Sequence, residues 1–272
     1  MSYRPKLIAT DLDGTICPHA APISKRTIAA LTRANEMGVR VFFVTGRPPR
    51  WMNQIKEAFD FGQAICSNGG LLWDLHEEKV LEEWRITPAD LRTTITKLRS
   101  AVPDIYFAFE NHGDFRREKK YEARWDKGVD ENGVDDILDY IENGAIKLLA
   151  RGSDKLFNSD EMLAVAMREV SDIVTVTHSN PWESLLEISA HNVSKGDTLA
   201  IICERLKIDR EDVVAFGDNP NDFSMLEFAG RSYIMSDGHP DGIKYATATA
   251  PPCEEDGVAQ IVEELLNLAP RP

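Results

Sequence analysis

Two carboxylates stand two residues apart at the end of a short apolar run, in Lys6-Leu-Ile-Ala-Thr-Asp-Leu-Asp-Gly-Thr15. Residues i and i+2 of a strand point to the same face, so Asp11 and Asp13 can serve one small site, and Gly14 lets the backbone turn away tightly behind them. Carboxylates that close repel each other and raise one another's proton affinity unless a cation lies between them. The pair therefore points to a divalent metal, to general acid/base work, or to both. The same residues also suit calcium loops, but an EF-hand needs Gly at its sixth position and Glu at its twelfth. Counted from Asp11, those positions hold Ile16 and Pro22, which excludes that reading.

Three more segments carry chemistry-bearing residues. Val39-Arg-Val-Phe-Phe-Val-Thr-Gly-Arg47 is an apolar strand ending in a hydroxyl and Gly, Ser194-Lys-Gly196 opens a helical pattern, and Val213-Val-Ala-Phe-Gly-Asp-Asn-Pro-Asn-Asp222 is a third strand running into two more carboxylates. Taken singly, Thr45 reads as a helix-approach cap, Lys195 as a solvated charge, and Asp218 and Asp222 as turn residues. Their joint occurrence is the signal. Ligands of open α/β folds bind at the carboxyl ends of parallel strands, which is where two of these runs place Asp and a third places Thr.

In these four segments the sequence resembles the haloacid dehalogenase superfamily, and within it the Cof-type sugar-phosphatase branch. Asp11-Leu-Asp-Gly-Thr15 is similar to that family's first motif, Thr45-Gly-Arg47 to its second, Ser194-Lys-Gly196 to its third and Gly217-Asp-Asn-Pro-Asn-Asp222 to its fourth, in the family's order and across nearly the whole chain. Cys66-Ser-Asn-Gly-Gly70, Glu187-Ile188 and Glu255-Asp-Gly-Val258 resemble features of the branch; Met235-Ser-Asp-Gly-His-Pro240 departs from it, with His239 where many relatives carry Asn.

The resemblance implies a Mg²⁺-dependent phosphomonoester hydrolase. Asp11 would attack phosphorus to form an aspartyl-phosphate, and Asp13 would protonate the leaving group and then deprotonate the attacking water. Asp11, the backbone carbonyl of Asp13, and Asp218 would hold Mg²⁺. Thr45 and Lys195 would stabilise charge on the phosphoryl oxygens, with Gly46, Arg47, Asn68, Gly69 and Asn221 as further substrate contacts. Asp222 would orient Lys195 or a water rather than bind the metal directly. The substrate would be a small phosphorylated metabolite, sugar phosphates first. A phosphomutase or phosphotransferase would use the same residues. A receiver-type signalling domain would need only about half this length, and a silent phospho-ligand binder has no use for a proton shuttle such as Asp13.

Composition fits a globular enzyme. The chain has 272 residues, 43% of them hydrophobic, enough for a sizeable core. With 31 basic and 45 acidic residues the formal net charge is −14, which disfavours nucleic acid and anionic membranes as partners and leaves attraction of a phosphate ester to local cations. Cys17, Cys66, Cys203 and Cys253 form no C-x-x-C pair and read as reduced, mostly buried residues, and no apolar stretch approaches the ~18 residues of a bilayer span. A cytoplasmic location is expected. Oligomeric state is not legible.

Apolar strands alternating with amphipathic helices predict a doubly wound, Rossmann-like α/β core with a parallel sheet. A helix is expected over about 24–37, with Ser24 as N-cap and Gly38 as stop, another after Pro49, then a strand through Ile65 and a hairpin over 71–84 turning at His76-Glu-Glu78. From about 85 the rhythm changes. Helices near Thr87, Gly133 and Ser159, with strands around 105–109, 146–150, 173–177 and 185–188, suggest an inserted α+β cap, so the expected division is core 1–84 and 189–272, cap 85–188. The stretch Arg116 to Gly133 reads as a solvated charged face. Within the cap, Arg151, His178, Asn180, Trp182 and Glu183 are candidates for substrate discrimination, although Trp182 also reads as core and His178 as a satisfied surface residue.

Overall fold

The computed structural model describes residues 4–112, 114–124 and 132–268. The chain opens with β1 (Leu7–Thr10), α1 (Lys25–Glu36), β2 (Arg40–Val44), α2 (Asn53–Ala58), β3 (Gln63–Cys66), β4 (Leu71–Asp74) and β5 (Lys79–Glu83). It continues with α3 (Pro88–Ala101), β6 (Tyr106–Asn111), β7 (Asp114–Arg117), β8 (Lys147–Arg151), α4 (Ser159–Val170), β9 (Val174–Thr177) and β10 (Leu185–Ala190). It ends with α5 (Lys195–Leu206), β11 (Val213–Gly217), α6 (Phe223–Phe228), β12 (Arg231–Met235), β13 (Ala248–Ala250) and α7 (Gly257–Leu265). Two compact units result, one of residues 1–47, 51–82 and 194–272, the other of residues 48–50 and 83–193.

The first unit is built on a sheet whose described strands run β13-β12-β11-β1-β2-β3-β4-β5. Pairing is parallel from β13 to β3, and β4 turns back antiparallel to β3. Strands β1 and β11 are buried along their whole length, as the continuous apolar runs Leu7-Ile-Ala and Val213-Val-Ala-Phe require of a parallel sheet covered on both faces. Helix α1 begins where Ser24 Oγ accepts the Thr27 N–H at 3.0 Å, and it packs on α7, to which Arg26 is tied by a two-pronged pair with Glu263. The expected hairpin is β4–β5, and its turn is pinned by Asp74 Oδ1, which accepts from His76 N and Glu77 N at 3.0 Å each. The α/β fold class expected from the sequence is the one observed.

The second unit carries a separate antiparallel sheet of order β7-β6-β8-β10-β9. Alternate residues Phe107, Phe109, Leu148, Ala150, Leu186, Ile188, Val174 and Val176 join Leu91, Ile95 and Leu98 of α3 and Met162 and Ala166 of α4 in one core. Several intervening positions are charged yet covered: Arg151 Nη2 lies 2.9 Å from Glu183 Oε2, Lys147 Nζ lies 3.6 Å from Glu187 Oε2, and Glu110 pairs with Arg50.

Several expectations for this stretch need correction. The helix near Gly133 is only a short 3₁₀ turn at Ile137–Tyr140. It is capped by Asp136, which accepts from Leu138 N, and Gly144 at φ +67° ends the segment before a helix can propagate. The run from Arg116 is only partly a solvated face: Lys119, Lys120 and Glu122 are exposed, but Glu118 and Tyr121 are buried. β7 pairs with β6, Phe115 and Tyr121 are buried, and Glu118 is buried because it accepts from Phe107 N, Ile137 N and Arg99. Residues 125–131 of that run lie outside the described residues. Trp182 is 89% exposed rather than core, whereas His178 is buried, its Nε2 2.8 Å from Asp160 Oδ1.

Candidate active site

Strands β11, β1 and β2 are neighbours, and Thr10 stands opposite both Phe216 and Phe43. The residues that follow these strands, Asp218, Asp11 and Thr45, therefore emerge at one end of the sheet. Asp11 N donates to Phe216 O at 3.0 Å, which carries the β1–β11 pairing one residue beyond the strand. Lys195 enters from the first position of α5, capped by Ser194 Oγ on Asp197 N. A cation at a helix N-terminus opposes the helix dipole. Here it is fully buried and held by two carboxylates: Nζ donates to Asp11 Oδ1 and to Asp222 Oδ1, both at 2.6 Å.

Asp222 is occupied at both oxygens. Its Oδ2 accepts from Asp218 N at 2.9 Å and Asn219 N at 3.1 Å, closing the loop that presents Asp218. Asp218 is aimed the other way: Asn219 Nδ2 donates to its Oδ2 at 2.6 Å, while its Oδ1 is buried with no hydrogen-bond partner. Gly14 makes that approach possible, since a Cβ there would lie 2.5 Å from Asp218 Oδ2. Carboxylate oxygens of Asp11, Asp218 and Asp222 lie within 4.8 Å of one another. Three carboxylates against one ammonium leave a buried excess of negative charge, and the unpartnered Asp218 oxygen supplies a ligand atom, so the cluster can hold a metal ion. Because both Asp222 oxygens are already engaged, Asp11 and Asp218 are the better side-chain ligands.

The electrostatics follow the same lines. Burial, reinforced by Asp222 and opposed by Lys195, pushes the Asp11 carboxyl up to about 7. Burial and then Asp11 hold Asp218 well above the usual carboxylate range. For Lys195, burial alone would lower the ammonium, but Asp11 and Asp222 outweigh it and the net displacement is upward. A dication would compete with protons for Asp11 and Asp218, whose proton affinities are raised, so divalent-cation affinity should weaken as pH falls through about 7. The expected slope is up to ~tenfold per pH unit for each proton released. Calorimetry in buffers of different ionisation enthalpy measures both affinity and proton release. An affinity independent of pH would show that the carboxylates are already ionised without an ion.

The remaining candidates surround this cluster. Thr45 is buried, and its Oγ1 accepts from Arg47 N at 3.1 Å, a bond that does not use the hydroxyl's own proton. Gly46 lies in the turn between them. Asn68 and Gly69 belong to a left-handed run, with φ +52°, +55° and +102° at Ser67, Asn68 and Gly69, fixed by Asn68 N on Thr45 O and by Thr198 Oγ1 on Gly69 O. Asn221 Nδ2 donates to Asn68 Oδ1 at 3.1 Å. Asp13 stands apart from the acid cluster, half-exposed and gripped by Arg47.

Sequence reasoning did not find the Arg47–Asp13 pair or the part played by Asn219. The first joins residues 34 positions apart and leaves no local signal. The second could have been read from Asn219 as the N-cap residue three before Asp222. His239, where the branch pattern departs, supports Asp218 through its backbone, its N–H donating to Asp218 O at 2.7 Å, while its ring accepts from Asp241 N.

The profile of the haloacid dehalogenase-like hydrolases matches residues 8–262 of the sequence. The chain belongs to the haloacid dehalogenase-like hydrolase family. It is an enzyme, a phosphatase of the haloacid dehalogenase type. Among its relatives, the 5-amino-6-(5-phospho-D-ribitylamino)uracil phosphatase YitU of Bacillus subtilis is 25% identical over 98% of this chain and 100% of its own. The haloacid dehalogenase fold recurs in BT1666, a phosphatase of Bacteroides thetaiotaomicron, with a TM-score of 0.80 at 20% identity over 96% of this chain and 95% of that one. It recurs also in BT4131, a subclass IIB sugar phosphatase of the superfamily, with a TM-score of 0.77 at 20% identity over 95% and 98% of the two chains. Among the described residues of this haloacid dehalogenase-like hydrolase, no helix is long and apolar enough to cross a membrane.

Proposed function

We propose that the chain is a Mg²⁺-dependent phosphomonoester hydrolase of the cytoplasm, acting on small phosphorylated metabolites through an aspartyl-phosphate on Asp11. The observation that carries this reading is the Lys195 ammonium shared between Asp11 and Asp222, beside the unpartnered buried oxygen of Asp218. Lys195 holds one Asp11 oxygen, which fixes the carboxylate plane and leaves Oδ2 to attack phosphorus. Its charge, with the Thr45 hydroxyl, balances the negative charge that spreads over the phosphoryl oxygens. Asp13 gives a proton to the departing alkoxide and later takes one from the water that attacks the acyl phosphate. A Mg²⁺ held by Asp11, Asp218 and the Asp13 carbonyl would screen the anionic nucleophile from the anionic phosphate.

Residues 1–84 and 189–272 would form the catalytic core and 85–188 a cap, where discrimination between leaving groups would reside. BT4131 is a sugar phosphatase and YitU acts on a phosphorylated ribitylaminouracil, and both support a phosphorylated polyol as the substrate class. Free, buried Cys17, Cys66, Cys203 and Cys253 support a reducing compartment.

The test is a turnover screen over phosphorylated metabolites with and without chelator, run beside an Asp13→Asn variant. Chelation should stop phosphate release and Mg²⁺ should restore it. In Asp13→Asn an aryl phosphate, whose leaving group needs little protonation, should give a burst of phenolate followed by turnover slowed ~10²–10⁴-fold, because the intermediate lacks a base for its water. Full activity in chelator, or a uniform slowing without a burst, would contradict the reading.

A further inference from the structure

The resemblance aims Arg47 at substrate phosphate, but the guanidinium is committed inside the protein. Its Nε donates to Asp13 Oδ2 at 2.8 Å and its Nη2 to Asp13 Oδ1 at 2.5 Å, while Nη1 lies 3.4 Å from Trp51 O and 3.5 Å from Gln54 Oε1. Every nitrogen of the guanidinium thus has a partner. Arg47 itself is carried by a firm turn: its N–H rests on Thr45 Oγ1, and its carbonyl accepts from Ser67 N at 3.0 Å. Asp13 is its opposite. Its carboxylate is 51% exposed, and among the described residues Arg47 is the side chain bonded to it. The buried carboxylates of Asp11, Asp218 and Asp222 form a cluster of which Asp13 is not a member.

An exposed aspartate on a tight loop has rotamer freedom, and in solvent nothing selects the orientation useful for proton transfer. Two parallel N–H···O bonds from one planar fork define the plane of the carboxylate as well as its place, which a point charge cannot do. Each oxygen keeps a second lone pair, so the grip leaves an acceptor direction open.

We propose that Arg47 is the positioning residue for Asp13 in the hydrolytic half of the reaction, a role that rests on the phosphoenzyme reading above. In that half, the water oxygen bonds to phosphorus, the bond from phosphorus to the Asp11 oxygen breaks, the electron pair returns to the Asp11 carboxylate, and the proton of the water passes to Asp13. Arg47 touches none of the reacting atoms. It fixes the oxygen that takes the proton. Formation of the phosphoenzyme from an aryl ester needs little from Asp13, so the loss of Arg47 should fall mainly on hydrolysis.

The test is rapid-quench measurement of the phosphorylated fraction during turnover of an aryl phosphate, for the wild type, Arg47→Gln, Arg47→Lys, Asp13→Asn and the Arg47→Gln/Asp13→Asn double variant. Arg47→Gln should accumulate phosphoenzyme, with hydrolysis slowed ~10- to 10²-fold, toward the lower end of a general-base contribution, and formation within about threefold of wild type. Arg47→Lys should behave likewise, since a lysine restores charge without the fork. In the Asp13→Asn background, adding Arg47→Gln should slow hydrolysis by no more than about threefold, because the group it positions is already gone. Burst amplitude counts folded sites, so partial misfolding lowers the amplitude and not the rate constants. Slow formation with little accumulated phosphoenzyme in Arg47→Gln would assign Arg47 to the phosphate and overturn the inference. Wild-type hydrolysis in Arg47→Lys, or multiplicative losses in the double variant, would overturn it too. Absence of phosphoenzyme in Asp13→Asn alone would reject the phosphoenzyme reading itself and the inference with it.

Discussion

Asp11→Asn should abolish turnover for every leaving group, activated aryl esters included, by at least ~10⁴-fold, the scale of loss when a covalent nucleophile is removed. The geometry makes the reason specific. Asp11 Oδ1 receives the Lys195 ammonium at 2.6 Å, so the other oxygen is the one available to attack. An asparagine would keep its carbonyl oxygen toward Lys195 and turn its amide, a donor with no nucleophilic lone pair, toward phosphorus. Volume is nearly unchanged, so the fold should survive. Steady-state assays together with acid-quenched labelling would check this: neither product nor protein-bound phosphate should appear. Residual activity within about tenfold of wild type would place the nucleophile elsewhere.

Lys195→Met should be the variant with the largest combined effect on activity and stability. The side chain is fully buried, and its ammonium joins carboxylates that follow β1 and lie in the loop after β11. Methionine fills much of the volume but leaves Asp11, Asp218 and Asp222 facing one another without a cation. Removing one partner of a buried ion pair costs about 3–5 kcal/mol, and turnover should fall ~10³-fold through loss of charge stabilisation on the phosphoryl group. The two effects separate in the presence of a divalent cation. Added Mg²⁺ should recover part of the thermal stability, because it neutralises the same carboxylates, without recovering activity. Thermal unfolding scanned against Mg²⁺ concentration reads this out, and a Lys195→Met protein as stable as wild type without metal would contradict a stabilising role for the buried ammonium.

Much of this site was visible in the order of residue types. Asp11, Thr45 and Asp218 each follow an apolar run, and parallel strands bring such ends together whatever lies between them in sequence. Lys195 was different. As a residue at the start of a helix it reads as solvated, and only its company in the four-segment resemblance pointed inward. The pairing of Asp13 with Arg47 is a matter of side-chain direction across neighbouring loops, which periodicity does not encode.

The second unit was harder to read for a related reason. In its antiparallel sheet one face packs on α3 and α4, so Phe107, Leu148 and Ile188 announce themselves by alternation. The other face mixes Ala108, Phe115, Tyr121 and Leu149 with Glu110, Lys147, Arg151 and Glu187, whose charges are satisfied by partners remote in sequence. The same effect hid β7, where Phe115 is a lone apolar residue among charged ones. Trp182 went astray in the opposite sense, because hydrophobicity at a strand end gave no warning that its ring is exposed.

The stereochemical course at phosphorus tests the central claim most directly, and it needs no variant. An ester bearing an isotopically chiral thiophosphoryl group is hydrolysed by the wild-type protein with Mg²⁺ in oxygen-labelled water, and the configuration of the inorganic thiophosphate is determined. Attack by Asp11 followed by attack of water on the phosphorylated aspartate inverts the centre twice, so net retention is the predicted result. Net inversion would mean a single displacement by water, and Asp11 would then not be the nucleophile.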